Sequence, residues 1–240
     1  LLNQYIVSFR ESFEAILVVF VIFAYVTKTR RQDLLKYVLY GAILALIFSM
    51  MFGVLTIMLY NSFPPSIREL FEAFSSFLAV VILNYTVVWT FSRGKNIKAS
   101  IEEKTSTAIR TSTTALAFLS LLLVFREGVE MFLFLTPFFI SNPLQTVLAT
   151  LLGIFSSTLL SYLIFIVGLK MDLRKFFFYT SLLLILVAGS MLNSGFHELV
   201  EFLESFNFSN VDVIERVGLL STGVYLLAAI LITVRSYVKN

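Results

Sequence analysis

The chain has 240 residues, of which 58% are hydrophobic and 14% charged, with a mean hydropathy of +0.91 and a formal net charge of +3. This mix lies far from that of a soluble domain and leaves no room for one, because seven membrane spans of about 20 residues plus short loops fill the length. The absence of cysteine excludes disulfides, thiolate metal sites and thiol redox chemistry.

Seven apolar runs bounded by charged or Pro-containing junctions predict helices at 2–27, 37–60, 70–91, 113–140, 144–169, 176–198 and 217–234. Backbone groups in hydrocarbon must pair internally, and no ten-residue alternation suggests a barrel, so the fold class is an all-α integral membrane protein. The sequence opens on Leu1 and not on Met, so a few native residues or a processed leader are expected ahead of the first run. That run is interrupted by Arg10-Glu11-Ser12-Phe13-Glu14 and therefore reads as a mature span, since a signal peptide keeps its apolar core uncharged. The third run begins beside Glu69 and Glu72 and contains Asn84. The fourth holds Arg126-Glu127-Gly128-Val129-Glu130, a second copy of the first motif, with Phe125 before it as Phe9 precedes the first. Leu17 and Leu133 follow the last Glu of each copy by three residues. Gly128 would let another helix approach the carboxylates. The sixth run contains Gly189, Asn193 and Gly195 and ends on His197-Glu198, with Glu201 beyond. Asn84 and Asn193 are expected to hydrogen-bond between helices, and the two glycines to allow close packing or a break.

Of the 18 basic residues, 14 fall in the junctions after runs one, three and five and in the C-terminal tail. The positive-inside rule then places the N-terminus outside and the C-terminus inside. The net positive charge is thus a topological signal and not a nucleic-acid footprint. Glu69, Glu72, Glu198, Glu201, Glu204, Asp212 and Glu215 gather at the outer face, where an acidic mouth concentrates cations.

Runs one to three and four to six form two units offset by 116 positions at the motif. An odd number of spans per unit makes the repeat inverted, an architecture of transporters with the binding site near the midplane between halves. The expected organisation is one transmembrane domain, 1–240: repeat one about 1–92, repeat two about 113–204 and a last helix about 217–234. The motifs lie about 25 and about 20 Å from the inner ends of their runs at helical rise, deep enough to face each other.

A charged residue at the centre of a membrane helix costs about 2.5–3.5 kcal/mol on insertion scales, so the six ionisable motif residues mark a site. In Glu-x-x-Glu the carboxylates are adjacent on one helix face, and Arg and the second Glu can pair across one turn. Glu11, Glu14, Glu127 and Glu130 are the candidate metal ligands, with Arg10 and Arg126 balancing charge. Such oxygen donors suit hard cations, and four carboxylates against two guanidiniums leave −2, which one divalent ion neutralises. Glu69, Glu72, His197, Glu198 and Glu201 form a candidate outer gate or first capture site.

The doubled Arg-Glu-x-x-Glu, in the first and fourth of seven helices, resembles the iron permease family, which includes the fungal high-affinity iron permease and the bacterial Efe-type permease. Leu70-Phe71-Glu72-Ala73 through Trp89, and Ala188-Gly189-Ser190 through His197-Glu198, extend the likeness over nearly the whole chain. The resemblance implies iron, as Fe2+ or Fe3+, carried into the cell across the plasma membrane as substrate, with no organic cofactor. It implies ligand roles for Glu11, Glu14, Glu127 and Glu130 and motif roles for Arg10 and Arg126. It also implies an extracytoplasmic oxidase or metal-delivery protein as partner; no fused metal-binding domain is recognisable here, and the acidic 198–215 segment is the expected receiving stretch. A homo-oligomer is left open. The residues alone leave two other readings: a transporter of another cation such as lead or manganese, and a membrane metal sensor. An enzyme is not expected, because one histidine cannot supply two Glu-x-x-His di-iron motifs and Ser194–His197 lacks an oxyanion loop.

Overall fold

The computed structural model describes residues 1–93, 97–165, 172–205 and 211–239. Outside them lie Lys95, Lys170, the end of the predicted fifth run and 206–210 of the acidic segment. The described residues form α1 (Leu2–Lys28), α2 (Leu35–Ser62), α3 (Pro65–Arg93), α4 (Ile97–Thr111), α5 (Thr113–Ser141), α6 (Pro143–Phe165), α7 (Leu173–Ser205) and α8 (Val211–Lys239), with a 3-10 turn at Gln32–Leu34.

Helix starts follow local chemistry. Pro65 and Pro143 occupy first helical positions, where a missing N–H costs nothing. The Ser112 hydroxyl accepts from Ala115 N at 3.0 Å, and Asp172 Oδ1 accepts from Arg174 N at 3.0 Å. α3 begins earlier than the predicted 70 because Arg68, ahead of the apolar run, donates to the carbonyls of Phe63 and Asn61, both at 2.8 Å.

Among the described residues, five helical segments are long and apolar enough to cross a membrane: Gln32–Ser62, Ile67–Val88, Pro143–Phe165, Arg174–Glu204 and Val213–Tyr237. α1 and α5 have 27 and 29 residues, ample length, but each carries a charged motif in its middle. Large apolar side chains such as Leu46, Phe155 and Leu227 are more than half exposed, as suits an integral membrane protein whose outer surface meets lipid. α4 was not among the predicted helices. Its 15 residues are too short and polar to span; Ile101, Thr105 and Ala108 are buried, while Glu103, Lys104 and Arg110 face outward. It is an amphipathic brace lying against the ends of α1 and α5.

The longest helix pairings cross between halves of the chain: α2 lies along α5, α6 along α1, and α3 along α7. The contact faces of α2 and α6 are stripes of small residues at helical spacing. They are Gly41, Ala45, Ser49 and Gly53 on α2, and Ala149, Gly153, Ser157 and Ser161 on α6. With no hydrophobic drive between helices in lipid, close approach and van der Waals packing hold such pairs together. A Cβ on Gly41 would strike the Ala117 carbonyl of α5, and one on Gly153 would sit 2.8 Å from Phe9 N of α1. Asn84 bridges helices as expected, accepting from Tyr225 of α8 at 3.0 Å. Asn193 is exposed. Gly189 and Gly195 serve close packing, against Leu226 of α8 and against Ser76 and Phe77 of α3, within an unbroken α7.

Two apolar clusters bracket the motifs. One joins Val7 of α1 to Phe134 and Leu135 of α5, with Leu83 and Val87 of α3 and Leu184 to Met191 of α7. The other joins Val18, Ile22 and Val26 of α1 to Leu116 of α5, with Val38 of α2 and Ile101 and Ala108 of α4. Early α1 thus meets late α5, and late α1 meets early α5. The two motif helices run in opposite directions, and residues 10–14 and 126–130 fall between the clusters.

Candidate metal centre

Six ionisable side chains occupy that middle layer, and their pairing is uneven. Arg10 is completely buried; its Nη1 lies 2.9 Å from Glu11 Oε1 and its Nη2 2.8 Å from Glu14 Oε1. On α5, Arg126 Nε lies 2.7 Å from Glu130 Oε1, and the Arg126 side chain is 33% exposed. One guanidinium is therefore locked in the protein interior between two carboxylates. The other belongs to a side chain one-third exposed, although its Nη2 is itself buried. Burying charge is tolerable only where it is paired and hydrogen-bonded, and these contacts meet most of that demand.

Not all of it is met. Glu11 Oε2 and Glu127 Oε2 are buried and accept no hydrogen bond. One carboxylate oxygen from each of Glu11, Glu127 and Glu130 can be chosen so that all three lie within 4.8 Å of one another. Among the described residues this is the one such group of three metal-binding side chains. Three converging carboxylate oxygens, two of whose residues carry an oxygen lacking any donor, are a donor set that could hold a hard cation. Glu14, the fourth expected ligand, stands outside the trio and against Arg10.

Neighbouring helices shape this donor set. Gly128 lets α2 come so close that a Cβ there would overlap the Ser49 side chain, the approach its position in the motif suggested. Thr86 of α3, fully buried, donates from Oγ1 to Glu130 Oε2 at 3.1 Å. Sequence reasoning missed Thr86, since a single threonine in an apolar run carries no spacing signal. It also missed Gln4, which is 5% exposed and whose Oε1 accepts no hydrogen bond. Gln4 lies two turns before Glu11 on the same helix face, and that seven-residue interval is a signal the sequence did contain.

The outer candidates are arranged differently. Glu69 and Glu72 on α3 and Glu198 and Glu201 on α7 lie close enough to act on one another electrostatically. Tyr60 donates to Glu72 Oε1 at 2.7 Å, and His197 Nε2 lies 3.4 Å from Glu201 Oε1. The His197 and Glu201 side chains are half exposed or more. Four carboxylates and one histidine thus gather at paired helix ends, half-buried to exposed, apart from the compact trio inside.

The sequence model of the iron permease FTR1 family matches residues 1–235. An uncharacterized protein of Archaeoglobus fulgidus is 34% identical over 210 residues, covering 88% of this chain and 74% of that protein. The ferrous iron permease EfeU of Yersinia pestis is 30% identical over 227 residues, covering 91% of this chain and 80% of the relative. The ferrous iron permease EfeU of Escherichia coli O6:H1 is 29% identical over 201 residues, 81% of this chain and 73% of the relative. No solved structure matches the chain.

Proposed function

The chain belongs to the iron permease FTR1 family, a family of transporters and not of enzymes, and from that premise we propose that it moves iron into the cell through the buried carboxylate trio. Glu11, Glu127 and Glu130 hold the ion. Glu14 and Arg10 form the charged wall behind it, and Arg126 balances Glu130. The observation that carries this reading is the convergence of three carboxylates from two oppositely directed helices between two apolar seals. Such a site holds an ion out of contact with either side, as a carrier's central site must.

The same reading sets the architecture. α1, α2, α3, α5, α6, α7 and α8 span the plasma membrane with the N-terminus outside, and α4 lies at the inner surface. The first three spans and α5 to α7 form an inverted repeat. In its favour, exchanging the halves turns the α2–α5 pairing into the α6–α1 pairing and returns α3–α7 and α1–α5 to themselves. Cysteines at Ser62 and Ser141 will then react with an impermeant thiol reagent added outside, and those at Thr107 and Ser236 will not. Outside labelling of Thr107 defeats the topology.

Ferrous iron is the favoured cargo, because a net charge of −2 on the motifs is met by one divalent ion and two relatives are named ferrous iron permeases. An oxidase or delivery protein outside the membrane would present the metal to the acidic helix ends. Oxygen donors alone discriminate poorly between iron and manganese, so competition decides the substrate. In proteoliposomes, isotopic iron uptake is expected to persist in about tenfold excess of manganese or lead, since affinity differences of a few kcal/mol are what geometry supplies. Uptake of manganese or lead without iron would overturn the assignment.

A further inference from the structure

From the geometry around Glu130 we infer that Thr86 is a positioning residue of the metal centre, through which α3 fixes one of the three ligands. The inference rests on the carboxylate trio binding metal as proposed above.

Hydroxyls in the membrane helices of this protein have an easy local acceptor, the carbonyl one turn back. Ser49 donates to Ala45 O at 2.8 Å, Thr56 to Phe52 O at 2.9 Å, and Thr136 to Phe132 O at 2.7 Å. Thr86 instead donates across the helix interface to Glu130 Oε2 at 3.1 Å. Its environment gives no other reason for a hydroxyl: Thr86 is fully buried and its neighbours Leu83 and Val87 belong to the apolar cluster above the motifs. Valine would fill the same shape.

The consequence falls on Glu130. Arg126 Nε occupies Oε1 at 2.7 Å and Thr86 takes Oε2. With both oxygens engaged, the carboxylate plane is set before any ion arrives. Each oxygen keeps a second lone pair, so Glu130 can still coordinate. Glu11 and Glu127 each retain an oxygen without a donor. The trio therefore combines one ligand engaged at both oxygens with two that each keep one oxygen open to the ion. Preorganising a ligand in this way lowers the entropic cost of binding. Groups that orient a metal ligand typically change affinity about 10–100-fold when removed.

Anaerobic ferrous-iron titration of the purified full chain in detergent provides the test. Thr86→Val and Thr86→Ala are expected to weaken iron binding about 10–100-fold, whereas Thr86→Ser, which keeps the donor, restores it to within about threefold of the parent. In a Glu130→Asp background the shorter carboxylate no longer reaches Thr86, so adding Thr86→Val changes affinity by less than about twofold. Parental affinity in both Thr86→Val and Thr86→Ala overturns the inference. So does failure of Thr86→Ser to rescue, which marks a packing role, or an undiminished Thr86→Val effect in the Glu130→Asp background. Parental iron affinity in Glu130→Gln would instead defeat the metal-site reading itself, a separate outcome.

Discussion

Glu127→Gln abolishes iron uptake while the protein accumulates in the membrane at parental level. The substitution keeps volume and removes one ligand charge. Glu127 is the natural choice because its Oε2 is buried without any hydrogen-bond donor, so the empty protein loses no such bond at that atom. The ion loses a charged oxygen from a set of three. That loss should exceed the roughly 10–100-fold cost of removing a group that merely orients a ligand. Isotopic uptake and direct titration of the purified variant both report it. Normal transport by Glu127→Gln would mean the ion travels elsewhere.

The two arginines, identical in their motifs, should differ sharply when replaced. Arg10→Gln leaves Glu11 and Glu14 facing each other in the protein interior with their guanidinium gone. Breaking a buried pair typically costs about 3–5 kcal/mol, a large share of the roughly 5–15 kcal/mol that holds a protein folded. The expected result is a strong drop in folded yield and melting temperature. Arg126 is one-third exposed at its side chain, and Glu130 keeps the Thr86 hydroxyl. Arg126→Gln should therefore fold, bind iron at least as tightly as the parent because the site gains net negative charge, and transport poorly because release lacks a replacing cation. Equal melting temperatures for the two variants would contradict the asymmetry. Greatly weakened binding in folded Arg126→Gln would show that the guanidinium acts by orienting the carboxylates.

Much of this was legible beforehand because membranes impose strong rules. Apolar runs marked the long helices, and charges that hydrocarbon resists marked the two motifs whose carboxylates the fold brings together. Gly128 pointed to a close helix, and α2 is there. What the chain did not disclose was pairwise geometry. Nothing in the spacing of Glu-x-x-Glu separates Glu11 from Glu14, and Arg10 pairs with both, yet only Glu11 joins the trio. α4 escaped because hydropathy is blind to a polar helix, although Ile101, Thr105 and Ala108 recur at one-turn spacing. Thr86 escaped because its meaning lies in a residue 44 positions away.

The crossed pairing of helices also has a bearing on how the protein is made. α1, which is made before the other helices described, has its most extensive partner in α6, and α2 has its own in α5. Neither three-helix half can enclose its own charged motif. The helices that lie along the Arg10–Glu14 segment therefore come mostly from chain synthesised well after it. A chain truncated before α6 would keep both motifs but lose the most extensive partner of α1, and with it the Gly153 face that presses against Phe9 beside the first motif.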